Sequence, residues 1–199
     1  MRRSVAQARQ TRAEIIERSL VLASVAGLDG LTIGRLAADL GMSKSGVLGH
    51  FGSKEALQVA VVEAAADLFD REVPGRARGA DPGLPRLVAL CAAWVDYHEH
   101  PPLPGGCLFT AAASEFDDRE GPVRDTLAAL AGVWLRDLRQ HVRLAIGAGD
   151  LPANSDPDQI LFELTGHILA LHSALRLNRD PTAPDRARRA IARLLGSDT

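Results

Sequence analysis

Among the two cysteines and six histidines of this 199-residue chain, the groupings that invite thiol, metal or imidazole chemistry are Cys91 and Cys107, the run His98-Glu99-His100, and the pair His167 and His172. Two cysteines without a secretory leader predict free thiols in a reducing cytoplasm. Cys107 follows Gly105-Gly106 at a helix start, where the helix N-terminus lowers a thiol pKa, so it is the better candidate for oxidative sensing. The plainer expectation is that both cysteines pack as small hydrophobes. Consecutive residues such as 98–100 do not share a helix face, and no Cys/His spacing fits zinc, so neither a metal nor a cofactor is expected. His167 and His172 lie on an apolar stretch and read as satisfied interface histidines. The chain has no Gly-x-Ser-x-Gly elbow, no phosphate-cradling glycine loop and no His-Glu-x-x-His. Catalysis is therefore not expected.

The charge distribution suggests a binding role instead. Residues 1–54 hold eight Lys/Arg and four acids, a net +4, while the rest of the chain is net −6. A basic end and an acidic body suggest that one end meets a polyanion. Only Lys44 and Lys54 are lysines among the 23 basic residues, and both lie in the basic end. The longest uncharged apolar run, Leu164–Leu175, falls short of the roughly 20 residues of a membrane span. No apolar leader follows the basic N-terminus. A soluble cytoplasmic protein without membrane contact is expected.

The elements that must position these residues read as helices. Thr11 and Glu14 fit a capping box, which predicts a first helix ending at Gly27 after a basic arm over residues 1–10. Thr32 and Ser43 cap two short helices through Leu40 and about His50, joined at Gly41-Met42. Gly41 takes the turn position, Ala37 allows close crossing, and Val47 plugs the second helix into the core. Ser53 opens a longer helix to about Arg71. The Gly/Pro/Asp-rich stretch 74–85 reads as a linker. Further helices are expected at about 83–99, 106–116, 121–147, 156–177 and 183–195. No alternating β-branched run suggests a strand. The expected fold is all-α, about nine helices, with a head over residues 11–72 and a second domain over 75–199.

The segment LTIGRLAADLGMSKSGVLGHFGSKEAL, residues 31–57, resembles the DNA-binding region of the tetracycline-repressor-like (TetR) family of bacterial regulators. The features that match are Leu31-Thr32, Leu36-Ala37, Gly41, Ser43-Lys44, His50-Phe51, Ser53-Lys54-Glu55 and Leu57. The resemblance implies a helix-turn-helix over residues 32–51, with residues 43–50 as the recognition helix in the major groove. It implies DNA contacts from Thr32, Arg35, Ser43, Lys44, Ser45, Gly46, Leu48, Gly49, His50 and Lys54. Thr32 and Lys54 would hold phosphates at helix starts, and Phe51 would anchor the core. Arg2, Arg3, Arg9 and Arg12 would add arm contacts. This chain departs from relatives at Leu48 and Gly49, where a tyrosine is common, and at Gly34, where a base-contacting side chain is common. Leu48 could touch a thymine methyl instead.

By the same resemblance, the second domain dimerises and binds an effector. Six of the eight aromatics lie between Trp94 and Phe162. Trp94, Tyr97 and His98 share a helix face, as do Trp134, Leu138 and His141. With Cys107, Phe109, Phe116 and Phe162 they could line an apolar pocket with a few polar groups. Ile160, Leu161, Leu164, Ile168, Leu171, Leu175, Ala187, Ala190, Ile191, Leu194 and Leu195 look too apolar for one helix pair to hide, which predicts a homodimer through the last two helices. Arg136, Arg139, Arg143 and Asp137 read as a solvated face. The expected function is a dimeric repressor, released from double-stranded operator DNA by a small molecule. Activation, a protein partner, or thiol oxidation at Cys107 is the alternative control.

Overall fold

The computed structural model describes residues 5–196, and every regular element among them is helical. The order is α1 Val5–Ala26, α2 Ile33–Asp39, α3 Lys44–Phe51, α4 Lys54–Glu72, α5 Pro74–Ala77, α6 Leu84–Glu99, α7 Leu108–Phe116, α8 Pro122–Ala148, α9 Pro157–Arg176 and α10 Ala183–Leu194. The all-α expectation holds. The single turn α5 is the element that periodicity did not foresee. It sits in the expected linker, where Val73 and Ala77 are buried and the Arg86 guanidinium donates to the carbonyls of Arg78 and Ala80. That stretch is a packed turn because its carbonyls have a fixed donor.

The largest departure is at the start of α1. The helix is already formed at Val5, so Thr11 lies inside it and caps nothing. Residues 5–10 are mostly Ala, Gln and Arg, good helix formers that give the chain no reason to stop. Arg9 is thus on a helix, and Arg12 stacks 4.6 Å over the Phe51 ring. An arm contact from Arg2 and Arg3 lies outside the described residues.

The chain forms two compact units. The first holds residues up to Asp67 together with Leu103–Ala128, and the second holds Leu68–Pro102 with the residues from Ala129 onward. The grouping cuts across a division near residue 75, because the segment after Leu103 is bound to the head. Gly105 passes so close to the end of α1 that a Cβ there would lie 1.6 Å from the Ser24 carbonyl oxygen. Its N–H also donates to Ser24 Oγ at 3.2 Å. The core of this unit includes Ile15, Leu28, Leu31, Leu36, Val47 and Leu57, each at most 1% exposed.

The second unit buries Leu87, Leu90, Leu138, Val142, Leu164, Ile168 and Leu195. Arg188 of α10 reaches Asp96 at 2.7 Å and also bonds Glu99, tying α10 to α6. Most of the residues that the sequence assigns to the dimer seam are used within the chain, and Leu175, Ala190 and Leu194 are half-buried. Ile160, Leu161, Leu164, Ile168, Leu171, Ala187, Ile191 and Leu195 are all buried within their own chain, because α9 and α10 pack on α6 as well as on each other. The large apolar residues exposed in this region are Phe162, Leu169 and Leu177. Among the described residues, no helix is long and apolar enough to cross a membrane.

Candidate functional site

The helix-turn-helix is built by side-chain caps. Thr32 Oγ1 accepts the Arg35 N–H at 3.2 Å and opens α2. Ser43 Oγ accepts the Gly46 N–H at 3.0 Å and opens α3. Between them Gly41 adopts φ +62°, and the Met42 N–H returns to the Ala37 carbonyl at 2.8 Å. Few residues other than glycine tolerate that φ. Val47 is fully buried, so it fixes which face of α3 turns outward. That outward face exposes Ser43, Lys44, Ser45 and Gly49, with Gly46, Leu48 and His50 half-buried beside them. Thr32 and Arg35 are exposed at the start of α2. The segment Lys44–Phe51 contains no acid to repel a phosphate.

Gly34 has a structural explanation that sequence reading missed. A Cβ at this position would lie 3.1 Å from Lys44 Cε, so the aliphatic stem of Lys44 passes over the glycine. The missing side chain of α2 makes room for the lysine of α3 and steers its ammonium group. Nothing lies within 4 Å of a Cβ built at Gly49, so that position is open surface.

Lys54 is less free than its place at a helix start suggests. Its ammonium donates to the Asp29 carbonyl at 2.7 Å and approaches Asp29 Oδ1 at 3.4 Å. Arg119 reaches the other Asp29 oxygen at 3.3 Å. The hydrogen bond from Lys54, then that from Arg119, hold the Asp29 carboxyl below the usual carboxylate range. An ammonium has three donors, and the two contacts to Asp29 leave one for a phosphate. The same turn is pinned from α7. Glu115 accepts the backbone N–H groups of Leu28 and Asp29 at 2.8 and 2.7 Å, and Gln58 donates to the Leu28 carbonyl at 2.9 Å.

The expected effector residues divide among several fates. Trp94, Tyr97, His98 and Trp134 come together in the second unit, joined by Phe69 of α4. Phe69 contacts Trp134 at 5.1 Å, Tyr97 at 5.5 Å and Trp94 at 6.2 Å between ring centroids, all edge to face. Trp94 and Trp134 also meet edge to face at 5.1 Å. Leu138 is fully buried in the same unit. His141 has structural work, since its Nδ1 accepts the Gly83 N–H at 3.3 Å at the start of α6. Phe162 is 75% exposed and joins no ring cluster. Cys107, Phe109 and Phe116 belong to the first unit.

Neither thiol is activated. Cys107 caps α7, its sulfur accepting the Thr110 N–H at 3.4 Å, but it is 4% exposed. Burial outweighs that bond and pushes the thiol up, opposite to the acidification expected of a helix start. Burial pushes Cys91 up to about 12. The thiolate is the reactive form, and burial penalises it at both positions.

Two residues escaped the sequence reading. Phe69 sits near the end of α4, a helix that the sequence places wholly in the head. His172, expected from sequence to be satisfied, meets the His98 ring edge to face at 5.5 Å, and its Nδ1 is buried without a partner. His98 Nε2 and Trp134 Nε1 are likewise buried and unpartnered.

Comparison with known proteins agrees with this geometry. Residues 15–61 match the family model described as bacterial regulatory proteins, tetR family. Residues 83–191 match the one described as tetracyclin repressor-like, C-terminal domain. No curated protein matches the sequence. Among solved structures, a TetR transcriptional regulator from Chloroflexus aurantiacus J-10-FL is 24% identical with a TM-score of 0.89, covering 96% of this chain and 97% of that one. AibR, in complex with isovaleryl coenzyme A and operator DNA, is 21% identical with a TM-score of 0.77, covering 92% and 97%. A transcriptional regulator from Saccharomonospora viridis in complex with choline is 18% identical with a TM-score of 0.79, covering 96% and 97%. The capped helix-turn-helix and a family model that spans more than half of the chain converge: the protein belongs to the TetR family of DNA-binding transcriptional regulators and is not an enzyme.

Proposed function

We propose that this regulator is a homodimeric repressor that leaves a palindromic operator when a small apolar or aromatic molecule enters its second unit. The observation that carries the reading is the outer face of α3. Ser43, Lys44, Ser45 and Gly49 are exposed there, no acid interrupts them, and Val47 locks that face outward. Lys44, Ser45, Gly46, Leu48, Gly49 and His50 face the major groove in this reading, while Thr32, Arg35, Ser43 and Lys54 hold phosphates on either side. Lys54 shares its ammonium between Asp29 and the phosphate.

Dimerisation uses the exposed side of α9. Phe162, Gly166, Leu169 and Ser173 recur at helical spacing there, and Leu177 continues the row just past the helix end. Two-fold pairing would cover the large apolar side chains, and Gly166 would let two such helices approach closely. The recognition helices would then lie about one DNA turn, roughly 34 Å, apart. Phe69 and Lys54 belong to the same helix, α4. A ligand that displaces the ring at Phe69 therefore acts on the helix that begins at the phosphate contact. Moving the equilibrium from 99:1 bound-competent to 1:99 takes a differential affinity of about 5.5 kcal/mol.

The similarly folded regulators in complex with isovaleryl coenzyme A and with choline hold chemically unlike molecules. The effector chemistry must therefore be read from this chain's own residues. The direct test is selection of bound duplexes from random DNA by the purified protein at fixed salt. A palindromic consensus supports the reading, and half-sites bound singly, with a monomer in sedimentation, overturn the dimer.

A further inference from the structure

We propose that His98 and His172 form the polar seat of a site for an uncharged, ring-sized molecule carrying one group that both donates and accepts a hydrogen bond, as a phenol or a cyclic alcohol does. The inference rests on the reading that the second unit receives an effector, and it names the chemistry of that effector.

Three polar atoms argue for it. His98 Nε2, His172 Nδ1 and Trp134 Nε1 are buried without partners, and all three belong to the second unit. His98 as a whole is 5% exposed. Buried polar groups in folded proteins are nearly always paired, and leaving one bare costs about 1–3 kcal/mol. Three in one unit therefore point to a partner that is not part of the chain. The three atoms belong to one run of touching rings. Trp134 meets Trp94 and Phe69, Phe69 meets Tyr97, Tyr97 meets His98 at 6.0 Å, and His98 meets His172.

The chemistry of the partner follows from what each atom offers. The Trp134 N–H can only donate, so it needs an acceptor. A neutral imidazole carries one N–H and one bare nitrogen, so two of them together can supply and receive a proton-bearing contact. Burial keeps both imidazoles neutral; it lowers His98 to about 4, helped by His172, and lowers His172, helped by the charge of Arg176. Arg176 also disfavours a cationic ligand here. A hydroxyl satisfies an acceptor-seeking N–H and a bare nitrogen at once, which a methyl, a carboxylate or an ammonium does not. The surrounding rings stack edge to face, and an aromatic or alicyclic body takes a further place in that packing.

The test uses the full-length protein with phenol, toluene, benzoate and tetramethylammonium as probes. Binding is followed by Trp fluorescence and by the ring-nitrogen resonances of His98 and His172. Phenol is expected to bind at least tenfold more tightly than toluene and to shift both histidine resonances. His172→Leu and His98→Leu are each expected to bring phenol down to the toluene level. Toluene or benzoate binding as well as phenol overturns the proposal. So does preferred binding of tetramethylammonium, or no binding of any probe at millimolar concentration. An ordered water bridging the two imidazoles that phenol does not displace overturns it too. Release of operator DNA is scored separately. Phenol bound at the histidines without DNA release fails the repressor reading alone, and DNA release by toluene as readily as by phenol fails this inference alone.

Discussion

The two units treat their buried polar groups in opposite ways. Among the described residues of the head each one has a partner: Gln58 holds the Leu28 carbonyl, Glu115 holds two backbone N–H groups, and the buried Ser19 hydroxyl donates to Ile15. In the second unit His98, His172 and Trp134 each leave an atom bare. The head is finished as it stands, which suits a surface that must present caps and cations in fixed register to DNA. The second unit carries an unmet hydrogen-bonding demand inside an aromatic cluster, which suits a part that is completed by a ligand.

The comparison can be broken most forcefully at Gly105. Replacement by Val puts a side chain where the Ser24 carbonyl already lies, so the segment 103–106 must lift from α1. A loss of about 3 kcal/mol or more is expected in denaturant unfolding, with operator affinity falling in parallel. Wild-type stability would show that the segment is not part of the head.

Acid sharpens the contrast from the other side. His98 titrates at about 4 when folded and at 6.5 when free, so between these values the unfolded chain binds the extra proton. Its contribution is intact above pH 6.5 and is lost as pH falls toward 4. Stability should drop by about 2 kcal/mol between pH 7 and pH 5 through His98, and the drop should shrink in His98→Leu to the part that the likewise lowered His172 and His141 supply. A pH dependence unchanged in that variant would remove His98 as its source. The Asp29 carboxyl, held low by Lys54 and Arg119, loses its pairing only in a more acidic window.

A smaller effect is expected at Glu115. Gln in its place keeps one acceptor of the two and removes the charge, at a cost of about 1–2 kcal/mol. Operator affinity should fall more than stability does, because the loosened turn carries Asp29 and hence Lys54. Equal losses would make Glu115 a packing residue only.

The smallest structural change has a distinct signature. Asp29→Asn removes the carboxylate charge beside Lys54 while keeping its bond to the residue 29 carbonyl, so folding should hardly move. DNA affinity should rise, whereas Lys54→Ala should lower it and flatten the dependence of log affinity on log salt by roughly one. An unchanged salt slope in Lys54→Ala would leave its ammonium as a brace for the α1–α2 turn.

Much of the head was legible because its signals are local. Thr32, Ser43 and Gly41 each act on backbone within four residues, so their types and spacing announce the caps and the turn. The same local logic failed at Thr11, where good helix formers upstream override a capping pattern. At Cys107 the plainer expectation of a packed hydrophobe agrees with the structure, and what no short window shows is that burial outweighs the helix-start bond. The residues of the second unit were harder. Phe69 and His172 are more than 100 positions apart in sequence, and no periodicity links them.

The sequence by itself determined the helical fold, the helix-turn-helix and its exposed chemistry, because helix periodicity, capping and glycine turns are written in short windows. Only the tertiary structure decided which apolar face of α9 is left uncovered, that Lys44 rests over Gly34 while Lys54 is shared with Asp29, and that His98 meets His172 with a buried ring nitrogen on each left without a partner. Those outcomes depend on which distant surfaces meet, and long-range packing settles that after every local preference has been satisfied.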